Sequence, residues 1–173
     1  MIASQPWFDR KFTFDLPSSR FPDIIERLRG TPARIEERVR SFKPALLTLR
    51  FNNTWSIQEN IGHLGDLEPI WIQRSEQIIS GETELAVADL SNHVTDEANH
   101  NSNSIHDLLI MFRNLRFRLV SILEAADGQA LEYSARHPRL GTKMRLIDIA
   151  FFTAEHDDHH LARISVLSHL LQI

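Results

Sequence analysis

The sequence predicts an all-α protein, a four-helix bundle with a short extended segment near its N-terminus. Three observations carry this. Apolar residues recur at helical spacing in four stretches of about 20 residues each. Two of these stretches open on a Ser followed three residues later by an acid, the signature of a capping box. The one strand-like alternation, KFTFDL at residues 11–16, has no visible partner, so a sheet is not expected.

Taken in order, Phe12, Phe14 and Leu16 share one face of the extended segment, and Pro17 ends it. Phe21-Pro22-Asp23 opens the first helix, with Pro in the first turn. Ile24, Ile25 and Leu28 supply its apolar side, and Gly30 marks a stop. Thr31-Pro32 restarts a stretch that reaches Phe42, with Pro44 closing it. The two pieces are either separate helices or one helix kinked at Pro32. Ser56 and Glu59 cap the second helix, which runs through Ile57, Ile61, Leu64, Leu67, Trp71 and Ile78 and stops at Gly81. Residues 81–103 are polar and form a long connection, a length often tied to function. Ser104 and Asp107 make a weaker capping box for the third helix, which extends to about Ala126. A loop over 127–145 holds HPRLGTKMR, and the last helix spans about Leu146 to Leu170. Four helices with one or more long crossovers make a bundle.

Composition narrows the function classes. The chain has 173 residues, of which 42% are hydrophobic, which suits one domain over residues 1–173 with a sizeable core. Net charge is −4, so no basic field argues for nucleic acid. There is no cysteine, which excludes disulfides and thiolate metal sites and fits a cytoplasmic location. No apolar run reaches the length of a membrane span.

The nine histidines cluster, most densely in AEHDDHHLARI at residues 154–164. At roughly 100° per residue, His156 and His160 face the same way. Ile149, Phe152, Thr153, Ile164 and Leu167 share that face, so both imidazoles point inward. His159 sits at the side of this face, and Asp158 points nearly opposite, to solvent. Two buried imidazoles are unfavourable unless neutral and hydrogen-bonded, and a divalent metal offsets that penalty. Waters or backbone carbonyls would serve a metal-free pair equally. A third ligand is available in His63, which lies within the apolar arc of the second helix near Leu67 and Ile70. Facing helices commonly build metal sites in bundle cores. Three neutral histidines leave coordination positions open, as in catalytic sites.

The tract TWSIQENIGHL, ending just past His63, together with AEHDDHHLARI resembles the DinB/YfiT-like superfamily. LRGTP at residues 28–32 and HPRLGTKMR at 137–145 add to the resemblance. It implies an up-down-down-up bundle whose crossover, residues 81–103, joins the second and third helices. It also implies metal ligands His63, His156 and His160, a zinc or nickel ion, and a homodimer. Characterised members of the family include enzymes that use low-molecular-weight thiols for S-transfer or isomerisation.

Three readings of function follow. An open three-histidine metal can hold a small thiol and lower its pKa for S-transfer or isomerisation. It can instead activate water for hydrolysis, which needs a nearby base. Asp157 follows His156 as Glu follows the first His of H-E-x-x-H proteases, but it is one methylene shorter and turned about 100° away. A surface charge or an acceptor for an imidazole N–H is its plainer role. Lastly, a metal closed by a fourth ligand would only staple the bundle. His93, His100 and His137, all in expected loops, are candidates for that ligand, with surface exposure the plain expectation for each. Arg139 and Lys143 are candidates to bind a substrate carboxylate or phosphate, the alternative being a solvated loop.

Overall fold

The computed structural model describes residues 5–171. Six helices follow in chain order: α1 (Phe21–Arg40), α2 (Pro44–Leu47), α3 (Ile57–Ile79), α4 (His93–Glu97), α5 (Ile105–Glu124) and α6 (Leu146–Leu170). The long ones, α1, α3, α5 and α6, form the bundle. α1 packs on α5 and α6, and α3 packs on the same two, so α1 faces α3 across a diagonal.

The directions of the helices are read from paired side chains. Arg27 meets Glu155 and Arg38 meets Ser165, so α1 and α6 run parallel. Gln58 meets Asn103 and Glu68 meets Arg116, so α3 and α5 also run parallel. Arg29 with Glu124 and Glu36 with Arg113 set α1 against α5. Asn60 with His160 and Trp71 with Phe152 set α3 against α6. The order is therefore up-down-down-up. Two consecutive parallel helices require a connection that travels back along the whole bundle, and residues 81–103 make it.

The start of α3 forms as its sequence predicts. The Ser56 hydroxyl accepts from the Glu59 amide at 3.1 Å, and the Ser56 amide donates to the Glu59 carboxylate at 2.8 Å. At α5 only the Ser104 half of the box is made, at 3.5 Å. Asp107 is one methylene shorter than Glu, which accounts for the missing return bond.

Several expectations need correction. Gly30 does not end a helix: α1 runs unbroken through Gly30, Thr31 and Pro32. Pro32 has no N–H to give the Leu28 carbonyl, and Arg116 Nη1 donates to that carbonyl instead, at 3.3 Å. Pro44 does not merely close a helix; it starts the short α2, where a missing N–H does no harm. The crossover contains α4, and a small sheet forms where a loop was expected. Strands β1 (Ser134–Arg136) and β2 (Lys143–Arg145) pair antiparallel, and Glu84 of the crossover bridges to Arg136. KFTFDL is extended but forms no strand. Its alternation serves packing instead: Phe12, Phe14 and Leu16 are half-buried and the residues between them exposed. Phe12 lies against Phe152 of α6, with ring centroids 5.0 Å apart.

The apolar interior divides into two clusters, one around Leu28, Trp71, Leu119 and Phe152, the other around Ile35, Leu64, Phe112 and Leu161. A polar layer separates them, with one member from each long helix. Arg116 lies at its centre, fully buried, donating to Glu68 and to both oxygens of Asp157. The Thr31 hydroxyl completes the layer by donating to Asp157 at 2.7 Å.

Candidate metal centre

His63, on the second turn of α3, meets His156 and His160 of the antiparallel α6. All three are buried. Each offers a ring nitrogen, and these nitrogens lie within 4.8 Å of one another. The pairing of α3 with α6 creates the cluster, because i, i+4 spacing aligns only the two histidines of α6.

Neighbouring groups fix which nitrogens are free. The Asn60 amide donates to the Ser56 carbonyl at 2.7 Å, which leaves its oxygen facing His160 Nδ1 at 2.9 Å. His160 therefore carries its proton on Nδ1. The Thr95 hydroxyl gives its only proton to Asp66 at 2.7 Å, so it accepts from His63 Nδ1 at 2.9 Å. Both residues then hold a bare Nε2 toward the cluster. His156 Nε2 faces His160 Nε2 at 3.2 Å, while His156 Nδ1 is buried without a partner among the described residues. Burial pushes His63 down to about 4, against the pull of the Asp66 carboxylate. Burial, and then the neighbouring imidazoles, holds His156 and His160 well below the usual histidine range. Three neutral imidazoles with converging lone pairs and one unpartnered nitrogen suit a divalent cation.

The cluster opens onto a cavity of about 680 Å³. Trp55 lies over His63 at 4.7 Å between ring centroids, and Trp7 meets His156 edge-on at 4.9 Å. The N-terminal segment thus forms part of the wall. Arg10 from the same segment approaches His159 Nδ1 at 3.3 Å. His159 sits beside the cluster, outside the converging set.

Other sequence candidates fall in different places. Asp157 is neither a surface charge nor an imidazole acceptor, because its carboxylate is committed to Arg116 and Thr31. Asp158 is not simply solvated; it pairs with Arg27 and Arg34 of α1. His100 and His137 are buried rather than on the surface. His100 Nε2 meets Asp66 at 2.8 Å, and Gly62 leaves room for its ring. His93 and Lys143 are exposed, and Lys143 does not reach the cavity, whereas Arg139 lines it. Asn60, Asp66 and Thr95 escaped the sequence reading. Asn60 and Asp66 had a readable signal, since each stands three residues from His63 on the same helix face.

A helical bundle with an inward trio of histidines at the mouth of a cavity defines a recognisable class of protein. The chain belongs to the DinB superfamily, whose family model matches residues 27–164. YfiT from Bacillus subtilis, described as a probable metal-dependent hydrolase with an unusual four-helix bundle topology, superposes with a TM-score of 0.82 at 18% identity, over 94% of each chain. A mycothiol-dependent maleylpyruvate isomerase superposes with a TM-score of 0.67 at 12% identity, over 87% of this chain and 62% of that one. No curated protein sequence matches. Among the described residues no helix is long and apolar enough to cross a membrane.

Proposed function

We propose that this protein is a metal-dependent enzyme in which His63, His156 and His160 hold a divalent ion, zinc or nickel, and the site acts on a low-molecular-weight thiol for S-transfer or isomerisation. The observation that carries the reading is the convergence of three buried, neutral imidazoles on one open cavity. When bound, such an ion is a Lewis acid that lowers the pKa of a thiol or water. Asn60 and Thr95 hold two of the imidazoles in the tautomer that presents Nε2. Trp7 and Trp55 pack against His156 and His63 and give the site an apolar wall. The resemblance of the fold to a mycothiol-dependent isomerase supports the thiol reading. So does the state of Asp157, the carboxylate next in sequence to His156: held by Arg116, it is not free to act as the base that hydrolysis needs.

Purified chain should contain about one equivalent of zinc or nickel, lost in His156→Ala. No metal in the wild type, or unchanged metal in the variant, sinks the site. With metal present, mycothiol, bacillithiol, glutathione and coenzyme A are each incubated with an electrophile. Thiol-dependent turnover abolished in His63→Ala is expected. Thiol-independent ester hydrolysis abolished in the same variant would favour hydrolysis, and a fourth protein ligand would favour a structural ion.

A further inference from the structure

At the far side of the same cavity, Arg74, His137 and Arg139 gather without a carboxylate partner among the described residues. Arg74 is buried on α3, and its Nε and Nη2 both donate to the Ala86 carbonyl, which fixes the guanidinium plane. Its Nη1 points at His137 Nε2, 3.1 Å away. The Leu140 amide already donates to His137 Nδ1 at 3.2 Å. A neutral imidazole accepts at one nitrogen only, so it can satisfy the Arg74 guanidinium or the Leu140 amide and not both. One of these two N–H groups is therefore left without an acceptor. Arg139 adds a further unsatisfied donor: its Nη2 is buried and has no hydrogen-bond partner among the described residues. Neither arginine has a carboxylate partner among the described ion pairs. Burial brings Arg74 down to about 10, helped by the neighbouring charge of Arg139. Burial is also the main reason His137 is pushed down to about 4, with both arginines adding to it. Buried donors and buried positive charge of this kind are unfavourable unless an acceptor joins them.

Aromatic rings hold the group in place and join it to the histidines. Arg139 Cζ lies 5.3 Å from the centre of Phe8 and 5.8 Å from that of Phe152. Arg74 Cζ lies 5.5 Å from the Trp71 ring, and Trp71 lies 5.8 Å from the His156 ring. The two ends of the cavity are thus one tryptophan apart.

We infer that Arg74 and Arg139, beside His137, form an oxyanion subsite, which takes a carboxylate or phosphate group carried by the molecule whose reacting end meets the three histidines. The substrate class is a small organic acid with a short apolar body, about the length that spans Trp71. Planar guanidinium forks suit carboxylate and phosphate alike. This rests on the proposed function for the identity of the reacting end, whereas the oxyanion subsite stands on its own geometry.

The test uses the three tryptophans, all of which line the cavity, as reporters. Full-length protein is titrated with 3-phenylpropionate, phenyl phosphate and the neutral 3-phenylpropionamide, both as purified and after chelator treatment. At least one anion should give a saturable fluorescence change and bind at least tenfold more tightly than the amide. Arg139→Gln should weaken the anion at least tenfold and leave the amide unchanged. Arg139 is half-exposed, so this variant keeps its fold, which its thermal midpoint checks. Arg74→Lys, which keeps the charge and loses the fork, should weaken the anion as well. Which anion binds more tightly separates carboxylate from phosphate. Equal affinity for acid and amide, wild-type affinity in Arg139→Gln, or loss of discrimination on chelation would overturn the subsite. A chain that carries no metal yet still discriminates would overturn only the proposed function.

Discussion

Two of the three imidazoles of the cluster, His63 and His160, are each set by a partner that the histidine pattern does not announce. Thr95 comes from the crossover, and Asn60 is held by the carbonyls of Trp55 and Ser56. Removing such a partner usually lowers metal affinity by about 10–100-fold. Asn60→Ala and Thr95→Val should each do so in a chelator competition, with helix content unchanged by circular dichroism. The same burial makes the metal-free protein sensitive to acid. His63 and His137 are depressed to about 4, whereas unfolded chain takes its proton near 6.5. A depressed folded pKa means stability that is complete above 6.5 and lost as pH falls toward 4. Each group contributes up to about 1.4 kcal/mol per pH unit in that window. Urea unfolding of chelator-treated protein at pH 7.5, 6 and 5 should show the fall, and a flat profile would contradict the neutral assignment.

The helices carry two further consequences. The Arg116 layer is made by all four long helices at one level. Arg116→Leu would strand Glu68 and Asp157 as buried charges and should destabilise the protein by about 3–5 kcal/mol in urea unfolding. Close approach of elements also constrains α3. A Cβ at Gly62 would stand 2.3 Å from the His100 ring, which Asp66 holds; at Gly65 it would meet the flexible end of Met111 at 2.4 Å. Gly62→Ala should therefore lower the thermal midpoint more than Gly65→Ala, by about 1–3 kcal/mol in stability. The four long helices were readable because capping boxes and apolar spacing are local signals. α1 was readable only in pieces. The chain's own pattern shows Pro32 breaking a ladder, but the replacement donor, Arg116, lies 84 residues further on (116 − 32) and appears only in the folded molecule. The β1–β2 hairpin was missed because three-residue strands are too short to show alternation.

For the whole molecule, the metal reading predicts that the bundle and its ion are linked. An ion that binds only the folded chain adds about 2.7 kcal/mol at one hundred times its Kd, or about 5–10 °C for a chain of this size. Differential scanning calorimetry with and without chelator should show that shift in the wild type and lose it in His156→Ala. The sequence by itself determined the helical class, the long helices, and the inward pair His156 and His160, because periodicity and capping act within a few residues. It also pointed to His63 through its place on an apolar face. Only the tertiary structure decided that the three nitrogens converge, that Asp157 belongs to an ion layer instead of the site, and that Arg74, His137 and Arg139 meet across the cavity. Those facts depend on the antiparallel pairing of α3 with α6, on Arg116 of α5 reaching Asp157 of α6, and on the β1–β2 turn lying against α3. They are set by packing between segments far apart in the chain, where no local spacing records them.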